Sequence, residues 1–244
     1  MRPTRFASLA LLLAAYGTIA SGAIACAGKA SQSAALSVAE QPAPPPGLKV
    51  DQFEAEIVKF EDSDRAAPPA PGGIVFVGSS SIRRWTTLAA DFPGLPVLNR
   101  GFGGSTLYEV NHYAPRIVLP YRPRLIVVYA GDNEIAMGRS ATDVARDYRH
   151  FVSIVRAALP STHIAFVSVK PSPSRWKLQN TVRETNRLVR AGMADDPRQS
   201  FVDVFTPMLG TDGRPRPELF VSDSLHMTPA GYEIWRRQLA PTVR

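Results

Sequence analysis

The chain has 244 residues, of which 45% are hydrophobic and 20% charged. That composition supports one sizeable core, leaves little room for a second domain, and excludes a chain disordered throughout. The formal net charge is +7, but the basic residues are scattered with no aromatic-basic platform. A solvated basic surface is the expectation, and nucleic acid is not an expected partner.

The first 25 residues read as a secretory signal. Arg2 and Arg5 precede an apolar stretch from Phe6 to about Ala20, and small residues follow. Ala23-Ile24-Ala25 is an A-x-A cleavage site. The next residue, Cys26, is the only cysteine, which rules out an internal disulfide. "AIAC" also resembles the lipobox of bacterial lipoproteins, with Ala23 where Leu is usual. Ordinary cleavage after Ala25 and lipidation of Cys26 therefore both stand. The second is preferred, because a lone Cys in an exported chain has no other evident use. The chain is expected to be exported, either secreted or held in the envelope by a lipid on Cys26. Membrane contact is expected through that anchor alone.

Residues 26–48 are small, polar and Pro-rich and read as a tether. Residues 49–244 are the predicted domain. In "VDQFEAEIVKFED", Phe53, Ile57 and Phe60 share one helix face. Ile74–Val77 is the first strand candidate, followed by "SSSIRRWTTLAADF", read as helix. Val97–Asn99 is a strand candidate, then a glycine loop, then a helical stretch "TLYEVNHYAPRIVL" expected to break at Pro115. Leu125–Tyr129 is a buried strand, and 141–159 has helical spacing. Ile164–Val169 is a strand, 179–194 a helix, and Phe201–Val204 the last strand. Thr228 and Pro229 open a final helix as N-cap and first helical residue. Strands alternating with helices predict five parallel strands covered on both faces. In such folds ligands bind beyond the carboxyl ends of the strands.

Polar residues collect at those ends. Ser80, in "FVGSSSI", lies on a strand-to-helix turn with a backbone N–H free to donate to an anion. A serine cap and a phosphate cradle are alternatives at this point. His226 stands in a loop before the last helix, three residues after Asp223. A serine hydroxyl needs a base to become a nucleophile, and the base works best when a carboxylate fixes its tautomer. The pair also fits a simple helix-start cluster. His112, His150 and His163 fall in predicted elements and read as structural. "NRGFGGS" lets the backbone approach a ligand closely, and Asn133 after the third strand carries an amide able to donate to an anion. The chain lacks the G-x-S-x-G elbow and the P-loop signature. With one Cys and scattered His it has no plausible zinc site.

Taken in order, "FVGSSSI", "GFGGS", "AGDNE" and "DSLH" resemble the four blocks of the SGNH (GDSL-type) hydrolase family over about residues 74–235. Ser79 stands where that family usually has Asp, a departure shared with a subgroup near the platelet-activating-factor acetylhydrolases. Glu134 stands where it usually has Asp. The resemblance implies a flavodoxin-like three-layer α/β/α fold. It implies Ser80 as nucleophile, His226 as base and Asp223 as its orienting carboxylate. The Ser80 and Gly104 N–H groups and the Asn133 amide would form the oxyanion hole. It implies an esterase of short acyl esters acting through an acyl-enzyme, with no cofactor and no metal. The expected substrate is a small ester or an acetylated glycan. The alternatives are a carbohydrate O-acetyl esterase and a non-catalytic envelope lipoprotein on the same scaffold. In the unusual loop "KPSPSRWK", Arg175 and Trp176 are candidates to line the substrate site.

Overall fold

A computed structural model describes residues 43–244. The expected signal segment, Cys26 and most of the tether lie outside the described residues. The tether's last residues, 43–48, turn tightly, with Pro45 buried.

Five short runs form the sheet: β1 (Ile74–Gly78), β2 (Val97–Gly101), β3 (Leu125–Tyr129), β4 (His163–Val167) and β5 (Gln199–Val202). All pair in parallel, in the order β2-β1-β3-β4-β5. Side chains alternate across the pleat. Val75, Val77, Ile126, Val128, Ile164 and Phe166 pack into one layer. Their neighbours Ile74, Phe76, Leu125, Val127, Ala165 and Val167 pack into the other. Burial on both faces is why these strands read as unbroken apolar runs.

The first layer holds α1 (Glu54–Ala66), α4 (Leu107–Ile117), α5 (Asp132–Ala136), α6 (Ala141–Ala158) and α7 (Gln179–Ala191). The second holds α2 (Ser80–Arg83), α3 (Leu88–Asp91) and α8 (Pro229–Val243). The expected α/β/α sandwich is thus present. The helix expected near Phe53 forms, and its Ile57 is fully buried, worth roughly 1.5–3 kcal/mol. Arg116 of α4 ties α1 down by bonding both Glu54 and Glu61.

Several boundaries differ from the sequence reading. "SSSIRRWTTLAADF" forms two single-turn helices instead of one. Asn99 of β2 donates its amide to the Ile82 carbonyl at 2.8 Å, satisfying a helix end that would otherwise have to continue. The fourth helix runs through Pro115 to Ile117. The proline sits in the last turn, where its missing N–H removes a single bond. β4 stops at Val167, because the Asn186 side chain takes both backbone groups of Val169, at 2.8 and 3.0 Å. Thr228 is the N-cap of α8 by position only; its hydroxyl donates to the Glu218 carbonyl.

The strand order has one topological switch. The chain leaves β1 to one side for β2, then crosses back past β1 to β3. The segments leaving β1 and β3 therefore diverge and open a crevice at the carboxyl edge.

Candidate active site

Gly78 ends β1 at φ 136°, in the half of conformational space that suits glycine. A Cβ there would stand 1.8 Å from the Tyr129 carbonyl oxygen. The bare backbone lets β1 and β3 stay paired to their ends, and Ser79 N–H donates to that carbonyl at 3.0 Å. The chain then turns into α2. Ser79 and Ser81 are buried, at 1% and 2% exposure, whereas Ser80 is partly exposed. As the first residue of α2, Ser80 has a backbone N–H with no acceptor inside the helix. Its Oγ lies 2.9 Å from His226 Nε2.

The histidine is held by its own loop. An isolated bridge pairs Phe220 with Met227, and Ser224 closes the turn at φ 56°. Asp223 Oδ1 accepts the Leu225 and His226 N–H groups, each at 2.9 Å. Its Oδ2 lies 2.6 Å from His226 Nδ1. The bond to the His226 ring, followed by that from the His226 N–H, holds the Asp223 carboxyl far below the ordinary carboxylate range. A carboxylate only accepts, so Nδ1 carries the proton and the neutral ring turns its Nε2 lone pair toward Ser80. Ser174 ties this loop to the one after β4, donating its N–H and hydroxyl to the Ser224 carbonyl. The structure thus brings Ser80, His226 and Asp223 into one hydrogen-bonded chain across 146 positions of sequence.

Gly104 and Asn133 follow the second and third strands, at the same carboxyl edge of the sheet. A Cβ at Gly104 would come within 3.7 Å of Asn133 Nδ2, so the two sites are neighbours. The Asn133 amide donates to the Ser105 carbonyl at 3.0 Å and accepts from Arg175 Nη2 at 3.0 Å. Glu134, next in the chain, is fully buried. Its carboxyl accepts the N–H of Leu107 and that of Gly131, clamping the start of α4 to the turn after β3. Burial pushes it up to about 8, against the Leu107 N–H that favours the charged form.

Behind Asn133 is a charged cluster that the sequence reading did not single out. Lys170 Nζ lies 2.9 Å from Asp132 Oδ2 and 3.0 Å from the Tyr129 hydroxyl. Arg175 Nη1 is 3.3 Å from the same Asp132 oxygen. Burial would raise the Asp132 carboxyl, but the two cations outweigh it and hold it low. The available signal was a lysine just past an apolar strand and an aspartate just before Asn133. Arg175, read as a substrate-lining residue, turns its guanidinium to Asn133 and Asp132. Trp176 is half-buried against the first core layer, with Arg183 stacked 6.0 Å from its ring. The two residues line a cavity of about 10 Å³, room for about one water.

The other histidines lie elsewhere. His112 is 3.6 Å from Asp51 in the first layer, His150 is buried in α6, and His163 Nε2 is 3.3 Å from Ser200. A hydroxyl on a base that a carboxylate orients is the arrangement of an activated nucleophile.

Residues 71–234 match the model of the GDSL-like Lipase/Acylhydrolase family. The chain is 29% identical to platelet-activating factor acetylhydrolase IB subunit alpha1 of Bos taurus over 171 residues, covering 65% of this chain and 69% of that one. Among solved structures, a Streptococcus pneumonia protein described as a platelet activating factor superposes with a TM-score of 0.71 at 16% identity, covering 80% of this chain and 94% of that one. An acetylxylan esterase from Geobacillus stearothermophilus, Axe2, superposes with a TM-score of 0.57 at 15% identity, covering 71% and 95%.

Proposed function

The chain belongs to the GDSL-like lipase/acylhydrolase family and is a hydrolase acting on esters; from that premise, we propose that it cleaves short-chain acyl esters through Ser80, His226, Asp223 and an acyl-enzyme. The observation that carries the reading is the unbroken sequence of contacts from Asp223 Oδ2 through the imidazole to Ser80 Oγ, at 2.6 and 2.9 Å.

Ser80 Oγ attacks the ester carbonyl while His226 Nε2 takes its proton. The negative charge of the tetrahedral intermediate falls on the former carbonyl oxygen. The Ser80 and Gly104 N–H groups and one Asn133 N–H supply donors there, and such donors act most strongly where water is excluded. The imidazolium then gives its proton to the leaving alcohol, and Asp223 stabilises the cation. Water, deprotonated by the same Nε2, attacks the acyl-enzyme, and collapse returns Ser80. The relatives named as acetylhydrolase and acetylxylan esterase support a small acyl group.

The test is substitution of each serine in "GSSSI", read with p-nitrophenyl acetate and with fluorophosphonate labelling. Ser80→Ala should lose labelling and activity, on the order of 10⁴–10⁶-fold. Ser79→Ala and Ser81→Ala should keep a measurable share of both. A dead Ser79→Ala beside an active Ser80→Ala would displace the nucleophile by one residue. Acetate release from acetylated xylan in the same assay would identify a carbohydrate O-acetyl esterase.

A further inference from the structure

We propose that Arg175 is a positioning residue that fixes which end of the Asn133 amide faces the oxyanion; the assignment rests on the esterase mechanism above. A primary amide has an acceptor at one end and two donors at the other. Only one orientation serves an oxyanion, and rotation by half a turn would place a second negative dipole against it. The structure locks that choice from both sides. Arg175 Nη2 meets Oδ1 at 3.0 Å, and the Ser105 carbonyl meets Nδ2 at 3.0 Å. A guanidinium has donors only and a carbonyl acceptors only. The flipped amide would therefore lose both bonds and set donor against donor and acceptor against acceptor. The Nδ2 proton not given to Ser105 is left to donate elsewhere, and a Cβ at Gly104 would stand 3.7 Å from that nitrogen.

Arg175 is itself held. Its Nη1 lies 3.3 Å from Asp132 Oδ2, an oxygen already shared by Lys170 at 2.9 Å and the Tyr129 hydroxyl at 3.1 Å. Lys170 is 2% exposed and Asp132 5%, so the cluster is rigid and poorly screened. Asp132 is shared between Lys170 and Arg175, so the Arg175 guanidinium is anchored through Nη1 while its Nη2 is given to the amide. A charge-assisted bond to Oδ1 also draws electron density from the amide and sharpens its N–H as a donor. A substrate-lining arginine would instead present its N–H groups to the ligand.

The two roles separate kinetically. The measurements are kcat and KM for p-nitrophenyl acetate in wild type, Arg175→Met, Arg175→Lys, Asn133→Ala and the double variant Asn133→Ala/Arg175→Met, with Ser80→Ala as control. Removing a single oxyanion donor costs about 10²–10³ in kcat, which is the expectation for Asn133→Ala. Arg175→Met should lower kcat by about 10- to 100-fold, a fraction of that loss, with KM within about twofold. Arg175→Lys should recover part of it, since an ammonium also donates only. The double variant should be no slower than Asn133→Ala within about twofold, because Arg175 has nothing left to orient. Losses that multiply in the double variant, or a loss confined to KM, would overturn the assignment. If Arg175→Met does not fold, Arg175→Lys with Asn133→Ala carries the same comparison. Activity surviving in Ser80→Ala would overturn the esterase mechanism and this proposal together. A dead Ser80→Ala with multiplying losses would overturn this proposal alone.

Discussion

The side chain of Asp223 is 42% exposed, an unusual setting for a carboxylate that orients a base, and its other oxygen is bound to the backbone of its own loop. Water therefore screens part of its attraction to an imidazolium, and in the proposed mechanism its main work is to choose the tautomer. Asp223→Asn would turn an amide N–H toward Nδ1, move the ring proton to Nε2 and aim it at Ser80. We expect kcat to fall by about 10²–10⁴, the upper end being the loss seen where such a carboxylate is buried, with the loop intact because the Asn Oδ1 still accepts from Leu225 and His226. A variant within threefold of wild type would show that Asp223 serves only as a loop cap. Asp223 stays charged far into acid, so the acid limb of kcat/KM should carry no second proton from that carboxyl; two protons on that limb would contradict the assignment. At this scale the sequence was partly legible. Asp223 and His226 are three residues apart, and their turn could be imagined from the chain. The choice of Ser80 over Ser79 and Ser81 came from the family resemblance alone, because three identical residues are told apart only by burial, at 1% and 2% for the outer two, and by contact with His226. The role of Arg175 could not be read from the chain, since it meets Asn133 across 42 positions.

At the scale of elements, strands were read more surely than helices. A strand buried on both faces announces itself as an apolar run, and β3 was legible to the residue as Leu125–Tyr129. The split of α2 from α3 was not, because it depends on the Asn99 side chain arriving from β2. The turn after β3 shows how such links bear on function. Glu134 joins Leu107 of α4 to Gly131, so one buried carboxyl spaces the two loops that carry Gly104 and Asn133. Burial raises it from 4.5 to about 8, so folding takes up a proton between those values. Its contribution to stability is fully present below about 4.5 and is lost as pH climbs through about 8. Urea unfolding should therefore show wild type losing stability relative to Glu134→Gln as pH rises across that window. At about 1.4 kcal/mol per pH unit, the difference should reach a few kcal/mol. Parallel stability profiles would mean that Glu134 is ionised in the native protein.

At the scale of the whole molecule, the sandwich sets how large an acyl group the site can take. Ser80, Asn133 and His226 all stand at the carboxyl edge of the sheet, the first two on the opening turns of α2 and α5 and the third in the loop before α8. Directly beneath them the strands are packed on both faces: Phe76, Val77, Val127 and Val128 have essentially no exposed surface. An acyl chain therefore cannot pass down into the sheet. It would have to run sideways between loops, and those loops are bonded to one another. Ser174 holds the His226 loop, and Arg175 holds Asn133. The cavity that Arg175 and Trp176 line is about 10 Å³, room for about one water and not for an acyl chain. Each added methylene would lie largely in water and gain little of the roughly 0.8 kcal/mol that full burial supplies. The value of kcat/KM across p-nitrophenyl esters should peak between acetate and butyrate and fall or level beyond. A maximum at decanoate or longer would require the loop of residues 170–178 to open, and with it the bond from Arg175 to Asn133 to break. Such a substrate would have to exchange the oriented amide for acyl burial, so a long-chain preference would overturn the short-acyl assignment and the rigid placement of the oxyanion donors at once.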